Sequence, residues 1–222
     1  MPGTKALKIK EKLNNIREPK PQTKTGTVLT ALFSLAFGTA LGIFSKWLDD
    51  LALDSAVRWH RFIEATDLGN FFSDIAVWLA AVLIIAVFSR SALRAALNVF
   101  VFFAGMCAAY HIYTVVFSGF NPSSYMMIWY AVTALSPLLA VACWYAKGKG
   151  AISTVLSAGI IAVLFLSCFS IGFFYIDLKG ILYLIVFCVG AAVIYNNPKQ
   201  FFISLPAGII TAFIINPIWP FR

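Results

Sequence analysis

The sequence predicts an all-α fold: a polytopic bundle of transmembrane helices, about seven spans with six as the alternative, and the N-terminus on the cytoplasmic side. Three observations predict it. First, 61% of the 222 residues are hydrophobic, only 12% are charged, and the mean hydropathy is +0.87. A soluble domain carries roughly 45–50% apolar and about 25% charged residues. Second, apolar runs near the ~20 residues needed to cross the hydrocarbon core recur along the whole chain. Third, the basic residues gather in alternate connections between those runs.

Residues 1–26 read as a basic cytoplasmic tail with Lys5, Lys8, Lys10, Lys12, Arg17, Lys20 and Lys24. Ile9, Leu13 and Ile16 recur at i, i+4 and i+7, the spacing of a short amphipathic helix lying on the inner leaflet. Pro19 and Pro21 would end it. A disordered tail that only enforces topology is the alternative. In both cases anionic lipids are the expected partner, at about 1 kcal/mol per basic residue near the surface. The polar stretch ahead of the first apolar run, and the lack of a small-residue cleavage site after it, predict a retained first helix.

The bundle, residues 27–222, divides into candidate spans at 27–45, 71–89, 93–117, 125–146, 151–175, 179–195 and 201–218. The last two are short, and the Asn196–Gln200 stretch between them allows only a tight turn. With the N-terminus inside, 12 basic residues fall on the inner side and five outside (Lys46, Arg58, Arg61, Lys179 and Arg222). Seven of the nine acids fall outside, the exceptions being Glu11 and Glu18. This follows the positive-inside rule and places the C-terminus outside a plasma membrane. The net charge of +8 is therefore positional. Without a basic recognition helix or a groove of stacked aromatics, nucleic acid is not an expected partner.

The first outer connection, 46–70, is the long one. Val57, Trp59, Phe62 and Ile63 interleave there with Arg58, Arg61 and Glu64, which suits a helix on the outer interface capped by Asp54 or Ser55. It reads either as a plain connector or as a lid over an outward cavity. No internal repeat between the two halves of the sequence is detectable.

Within the first helix, Gly38 and Gly42 stand four apart, and Ala36 and Ala40 lie on a neighbouring face. Small residues at this spacing let two helix backbones approach closely. The approach is either internal packing or docking against a separate membrane subunit. On this face and the lid-like first outer loop, the chain resembles the substrate-binding S-components of energy-coupling-factor transporters. The resemblance implies that Ala36 and Ala40 contact a transmembrane coupling subunit and that a vitamin-sized ligand occupies an outward cup. A seventh span and an outside C-terminus depart from that pattern. Phrases such as GIFSKWLD and SGFNPSSYMMIWY also resemble uncharacterised bacterial polytopic membrane proteins, which implies no function.

Candidate ligand-binding residues are His111, Asp74, Trp129, Tyr125 and Asn121. His111 is an ionisable group at membrane depth with Cys107, Thr114 and Ser118 on its face. Asp74 opens the second helix, where an acid also complements the helix dipole. Tyr125 and Trp129 belong to an aromatic crowd, with Tyr110, Tyr113, Phe117, Phe120 and Tyr130, at the outer ends of helices three and four. Such a crowd forms either an interface belt or a stacking wall for a flat or cationic ligand. Asn121 precedes Pro122 in a helix-start pattern. Asn98 is expected to hydrogen-bond a neighbouring helix. Pro137 and Pro206 are expected to interrupt the ladders of helices four and seven.

Hydrolase, metalloprotease and phosphate-loop signatures are absent, and no zinc spacing links the four cysteines. The sequence thus points away from an enzyme, a metal centre or a cofactor. An intramembrane enzyme, resting on His111, Asp74 and Asp177, ranks last. A small-solute binding or transport subunit comes first. An accessory or self-protection protein, acting through partner-helix or lipid contacts, is the alternative.

Overall fold

The computed structural model describes residues 11–172 and 174–219. Lys5, Lys8, Ile9, Lys10 and Arg222, on which parts of the tail and charge readings rest, lie outside the described residues. Residues 11–16 are helical. Among the described residues seven longer helices follow: α1 (Lys24–Asp49), α4 (Ile75–Phe88), α5 (Ala92–Tyr113), α6 (Ser123–Ala146), α7 (Gly150–Cys168), α8 (Ile181–Ile194) and α9 (Pro198–Ile215). Two short ones, α2 (Arg58–Thr66) and α3 (Leu68–Ser73), lie between α1 and α4. A two-stranded antiparallel hairpin, β1 (Phe169–Ile171) with β2 (Ile176–Leu178), joins α7 to α8 in the register Phe169–Leu178.

Hydrogen bonds gather the connections at two ends of the bundle. At one end, the tail face, Lys20 N–H meets Arg90 C=O, Lys149 N–H meets Ile16 C=O, and Lys147 reaches the Val193 carbonyl. At the other, the loop face, Ser73 bonds Asp49, Ser118 bonds Asp50, Lys179 bonds Asp74, and Asn216 bonds Ile171. All seven long helices run between these two faces. Five of them are long and apolar enough to cross a membrane, so the chain is a helical membrane protein. The other two, α4 and α8, have 14 residues each, about 21 Å of helix against a hydrocarbon core of roughly 30 Å.

The structure revises several expected boundaries. The second candidate span, 71–89, breaks at Asp74: its backbone is extended (φ −82°, ψ 153°) and its side chain accepts from Ala76 N–H, so a new helix starts there. The fifth candidate, 151–175, stops at Cys168, because the following aromatic and β-branched stretch pairs as the hairpin. The first extends past 45 to Asp49, its last turn held by the Lys46–Asp50 pair. The interfacial helix in 46–70 forms, but its N-cap is Val57 without a side-chain cap bond. Asp54 instead turns its carboxylate to Ala56 N–H and donates its own N–H to His60 Nδ1. Helix α6 starts at Ser123 with Pro122 as N-cap, so the proline sits one position outside its expected place. Pro137 and Pro206 lie inside α6 and α9.

The core is organised around α4. It is apolar on every side, and seven of its residues are buried, including Trp78 and Val87, as expected for a helix surrounded by others. It packs against α5, α6, α7 and α8, while α1 lies on α5 and α9 on α7. A Cβ on Gly38 would stand 2.0 Å from Phe102 C=O, and one on Gly42 2.4 Å from Met106 C=O. Residue numbers rise together along this contact, so α1 and α5 are parallel. From the other side, a Cβ on Gly105 would stand 2.6 Å from Leu35 C=O. Helices α7 and α9 are likewise parallel: Asn196 meets Gly148 at the tail face, Asn216 meets Ile171 at the loop face, and Gly208 lies against Ala158 and Ile161 between them.

A repeated order of elements emerges. Helix α1, a loop-face excursion, the 14-residue α4, a tight turn and α5 match α7, the hairpin, the 14-residue α8, a tight turn and α9. Both tight turns run from a C-cap residue to an N-cap residue two positions on: Ser89 to Ser91, and Tyr195 to Asn197. Each N-cap side chain accepts from the backbone N–H three residues later. In both units the outer helices pack in parallel. The two units therefore point the same way, as in parallel repeats related by an axis along the bundle, with α6 as the odd helix between them. Beyond these matching N-caps, the sequences of the two units show no evident repeat.

Candidate functional site

The loop face holds two polar clusters on either side of α3. Adjacent residues at the end of α3 tie it to both. Ser73 donates to Asp49 Oδ1 at 3.0 Å, and Asp74 receives Lys179 Nζ at 3.0 Å. Phe71 packs edge-on to Tyr183, and Phe72 edge-on to Phe44 and Trp78. The Phe72 carbonyl accepts from Trp78 Nε1 at 2.9 Å and from Ser45.

The first cluster joins α1 to α5. Lys46, only 5% exposed, pairs with Asp50 at 2.5 Å beneath the rings of Tyr110 and Phe120. Tyr110 donates to Asp49 at 2.8 Å. Ser118 donates to Asp50 at 2.5 Å. Its placement follows from a π-helical turn at Thr114–Ser118, which rotates the end of α5 relative to a regular helix. Burial alone would raise the Asp50 carboxyl, but hydrogen bonds from Lys46 and Ser118, with the charge of Lys46, hold it below its usual range. Directly beneath lies a void of about 10 Å³ lined by Ser45, Phe72, Trp78, Met106, Tyr110, Tyr125, Met126 and Trp129. That is room for about one water molecule.

The second cluster joins the two units. Asp74 caps α4 through one oxygen. Its other oxygen takes Lys179 at 3.0 Å and the Tyr183 hydroxyl at 3.3 Å, both from the start of α8. The pair is about four-fifths buried on both sides. Among the described residues it is the one ion pair between the units.

The residues singled out in the sequence are thus partly assembled. Tyr125 and Trp129 line the void, and Asp74 holds the inter-unit pair. His111 lies elsewhere, its Nδ1 2.5 Å from the Tyr130 hydroxyl with the rings stacked, on the seam of α5 and α6. Two of its expected face-mates have other partners: Cys107 meets Thr133, and Ser118 meets Asp50. Asn121 is exposed and accepts from Ser123 within its own turn. Gly38 and Gly42 are occupied by α5, whereas Ala36 and Ala40 are exposed. Between the 46–70 connection and the helix ends, where the cup was expected, lies this small void. Sequence reasoning missed Lys46, Asp49 and Lys179 as site residues. The Lys46–Asp50 spacing at the end of an apolar helix was the available signal.

The tail face is tied by cations on helix C-termini, where such charges are favoured. Arg17 donates to Trp144 C=O at 2.7 Å and Val87 C=O at 2.8 Å and lies 4.5 Å from the Trp144 ring centre. Lys147 caps α8 through the carbonyls of Val193 and Tyr195. Burial lowers the pKa of both cations, and Arg17 lowers that of Lys147 further. Residues 17–22 therefore strap the bundle instead of trailing from it. Asn98 donates to Ser89 across α4 and α5, as expected, and its Oδ1 is buried without a partner. No family model, no curated protein and no solved structure matches the chain.

Proposed function

We propose that the protein is a seven-span plasma-membrane protein that binds and carries a small solute, with its site at the aromatic void bounded by α1, α3, α4, α5 and α6. The tail face lies in the cytosol and the loop face outside. The charge distribution supports this orientation: Arg17, Arg90, Arg94, Lys147, Lys149 and Lys199 all sit at the tail face. All seven helices cross, the two 14-residue ones included, because they join the same two faces as the long ones.

One observation carries the reading. An aromatic void among α1, α4, α5 and α6 lies under α3, whose C-terminal end is tied to Asp49 through Ser73 and to Lys179 through Asp74. The helix broken at Asp74 borders this void, and broken helices are where transporters commonly hold their solutes. In this conformation α3 stands over the void at the loop face. Movement of α3 would join the void to the outside and expose a wall of Tyr110, Tyr125 and Trp129 beside Asp49, suited to a flat or cationic solute.

Accessibility tests it. With the native cysteines replaced, Ser45→Cys in the void should react slowly with a membrane-impermeant maleimide added from outside. A stabilising cationic or aromatic solute should slow that reaction further. A position 45 that never reacts, in a protein that no such solute stabilises, would defeat the proposal.

A second reading, an accessory or self-protection protein docking a partner helix, draws on exposed Ala36 and Ala40 beside exposed Phe33 and Phe37. The S-component resemblance implies the same contact face at Ala36 and Ala40, but for a solute-binding subunit. Ala36→Leu with Ala40→Leu should then release a co-purifying subunit while leaving the fold intact.

A further inference from the structure

We infer that the tail face carries a site for one anionic phospholipid, in the groove between the strap and the first turns of α1. The groove is open to the surface, has a volume of about 720 Å³, and is lined by Pro21, Gln22, Thr23, Gly26, Leu29, Thr30 and Arg90. Most of that lining is apolar, and Leu29 at its lower end is 61% exposed to the bundle perimeter. An acyl chain fits there.

The mouth of the groove is cationic. Arg90 spends one N–H on Pro21 C=O, which leaves further guanidinium donors in a geometry that matches a phosphate. Arg94 lies alongside, bound to the Gln22 side chain and carbonyl at 2.9 and 3.3 Å. Lys20 and Lys24 are exposed at the same level, and the nearby Glu18 is exposed as well. Among the described residues none of these four cations is in an ion pair. Uncompensated positive charge at one end of an apolar groove, at the depth where the first helix enters the bilayer, is complementary to an anionic headgroup with its chain below.

The strap builds this site: Lys20 N–H bonds Arg90 C=O, and Pro21 and Gln22 form one wall. The site is independent of the aromatic void, and the proposal stands whether or not the protein carries a solute.

The test uses full-length protein purified in a neutral detergent, probed by native mass spectrometry and thermal unfolding. Mixed micelles contain phosphatidylglycerol or phosphatidylcholine. One phosphatidylglycerol should be retained per chain and raise the unfolding midpoint, with phosphatidylcholine giving neither effect. Lys20→Gln with Lys24→Gln, both exposed, should weaken retention about fivefold per charge removed. Arg90→Gln should abolish it, and Arg90→Lys should recover part. Thr30→Trp fills the groove with every cation in place and should eject the lipid; Lys199→Gln on the same face should have no effect. Equal retention of phosphatidylcholine would overturn the site. So would unchanged retention in Thr30→Trp, or the same stabilisation from inorganic phosphate alone.

Discussion

Substituting Gly38 by alanine places a methyl group 2.0 Å from the Phe102 carbonyl oxygen and 2.8 Å from its carbonyl carbon. Both are backbone atoms, so no rotamer change relieves the collision. Reaching an ordinary contact of 3.4 Å requires α1 and α5 to separate by about 1.4 Å. A gap of 0.5–1 Å already forfeits a quarter to a half of each dispersion contact. The loss extends along the seam, because Cβ atoms at Gly42 and Gly105 would stand 2.4 and 2.6 Å from backbone oxygens. Overpacking of this kind costs typically 1–3 kcal/mol. With three close approaches on one seam, about 3 kcal/mol is expected for Gly38→Ala and more for Gly38→Leu. Gly159→Ala is the control: a Cβ there meets nothing within 4 Å, and alanine's helix preference favours it by up to about 1 kcal/mol. Thermal unfolding in detergent, followed by the monodisperse fraction on gel filtration, measures both. A Gly38→Ala protein as stable as the parent would refute the parallel α1–α5 contact. The same collision means that loss of a partner in Gly38→Leu would report misfolding, which is why Ala36 and Ala40 are the positions for a docking test.

Arg17→Gln removes charge-assisted bonds to two helix-end carbonyls, each worth about 1.5–3 kcal/mol. Because those carbonyls regain water, the loss of unfolding free energy should be about 2–4 kcal/mol, and no loss would show that the strap is idle. Asp74→Asn and Lys179→Gln, singly and together, should give a coupling of about 1 kcal/mol in a double-mutant cycle, with a further loss in Asp74→Ala from the missing α4 cap; an additive cycle would separate the two units at this point. For Asp50 the folded carboxyl titrates below its usual value of 3.8. Its stabilisation is therefore complete above that value and is lost as pH falls through the lower folded one. The stability advantage of the parent over Asp50→Asn should be present at neutral pH and diminish as pH falls below 3.8; a constant difference would count against the Lys46 and Ser118 contacts.

The membrane class and the positions of most spans were legible because they are one-dimensional properties. Hydrophobicity summed over a window and the placement of lysine and arginine need no tertiary contact. The break at Asp74 and the hairpin after Cys168 were missed because apolar windows do not register a helix start inside a greasy run. The small-residue pair at Gly38 and Gly42 was visible, but which helix it accepts was not.

From the sequence alone came an all-helical membrane protein with an uneven charge distribution. Only the tertiary structure decided that α1 lies parallel on α5 and α9 on α7, that two three-helix units repeat without a repeated sequence, and that Asp74 meets Lys179 across 105 residues. The physical reason is that lipid rewards apolar surface regardless of its order, so side-chain patterns are free to drift. Close backbone approach and buried charge pairing are satisfied at particular contacts, and those exist only once the chain has packed.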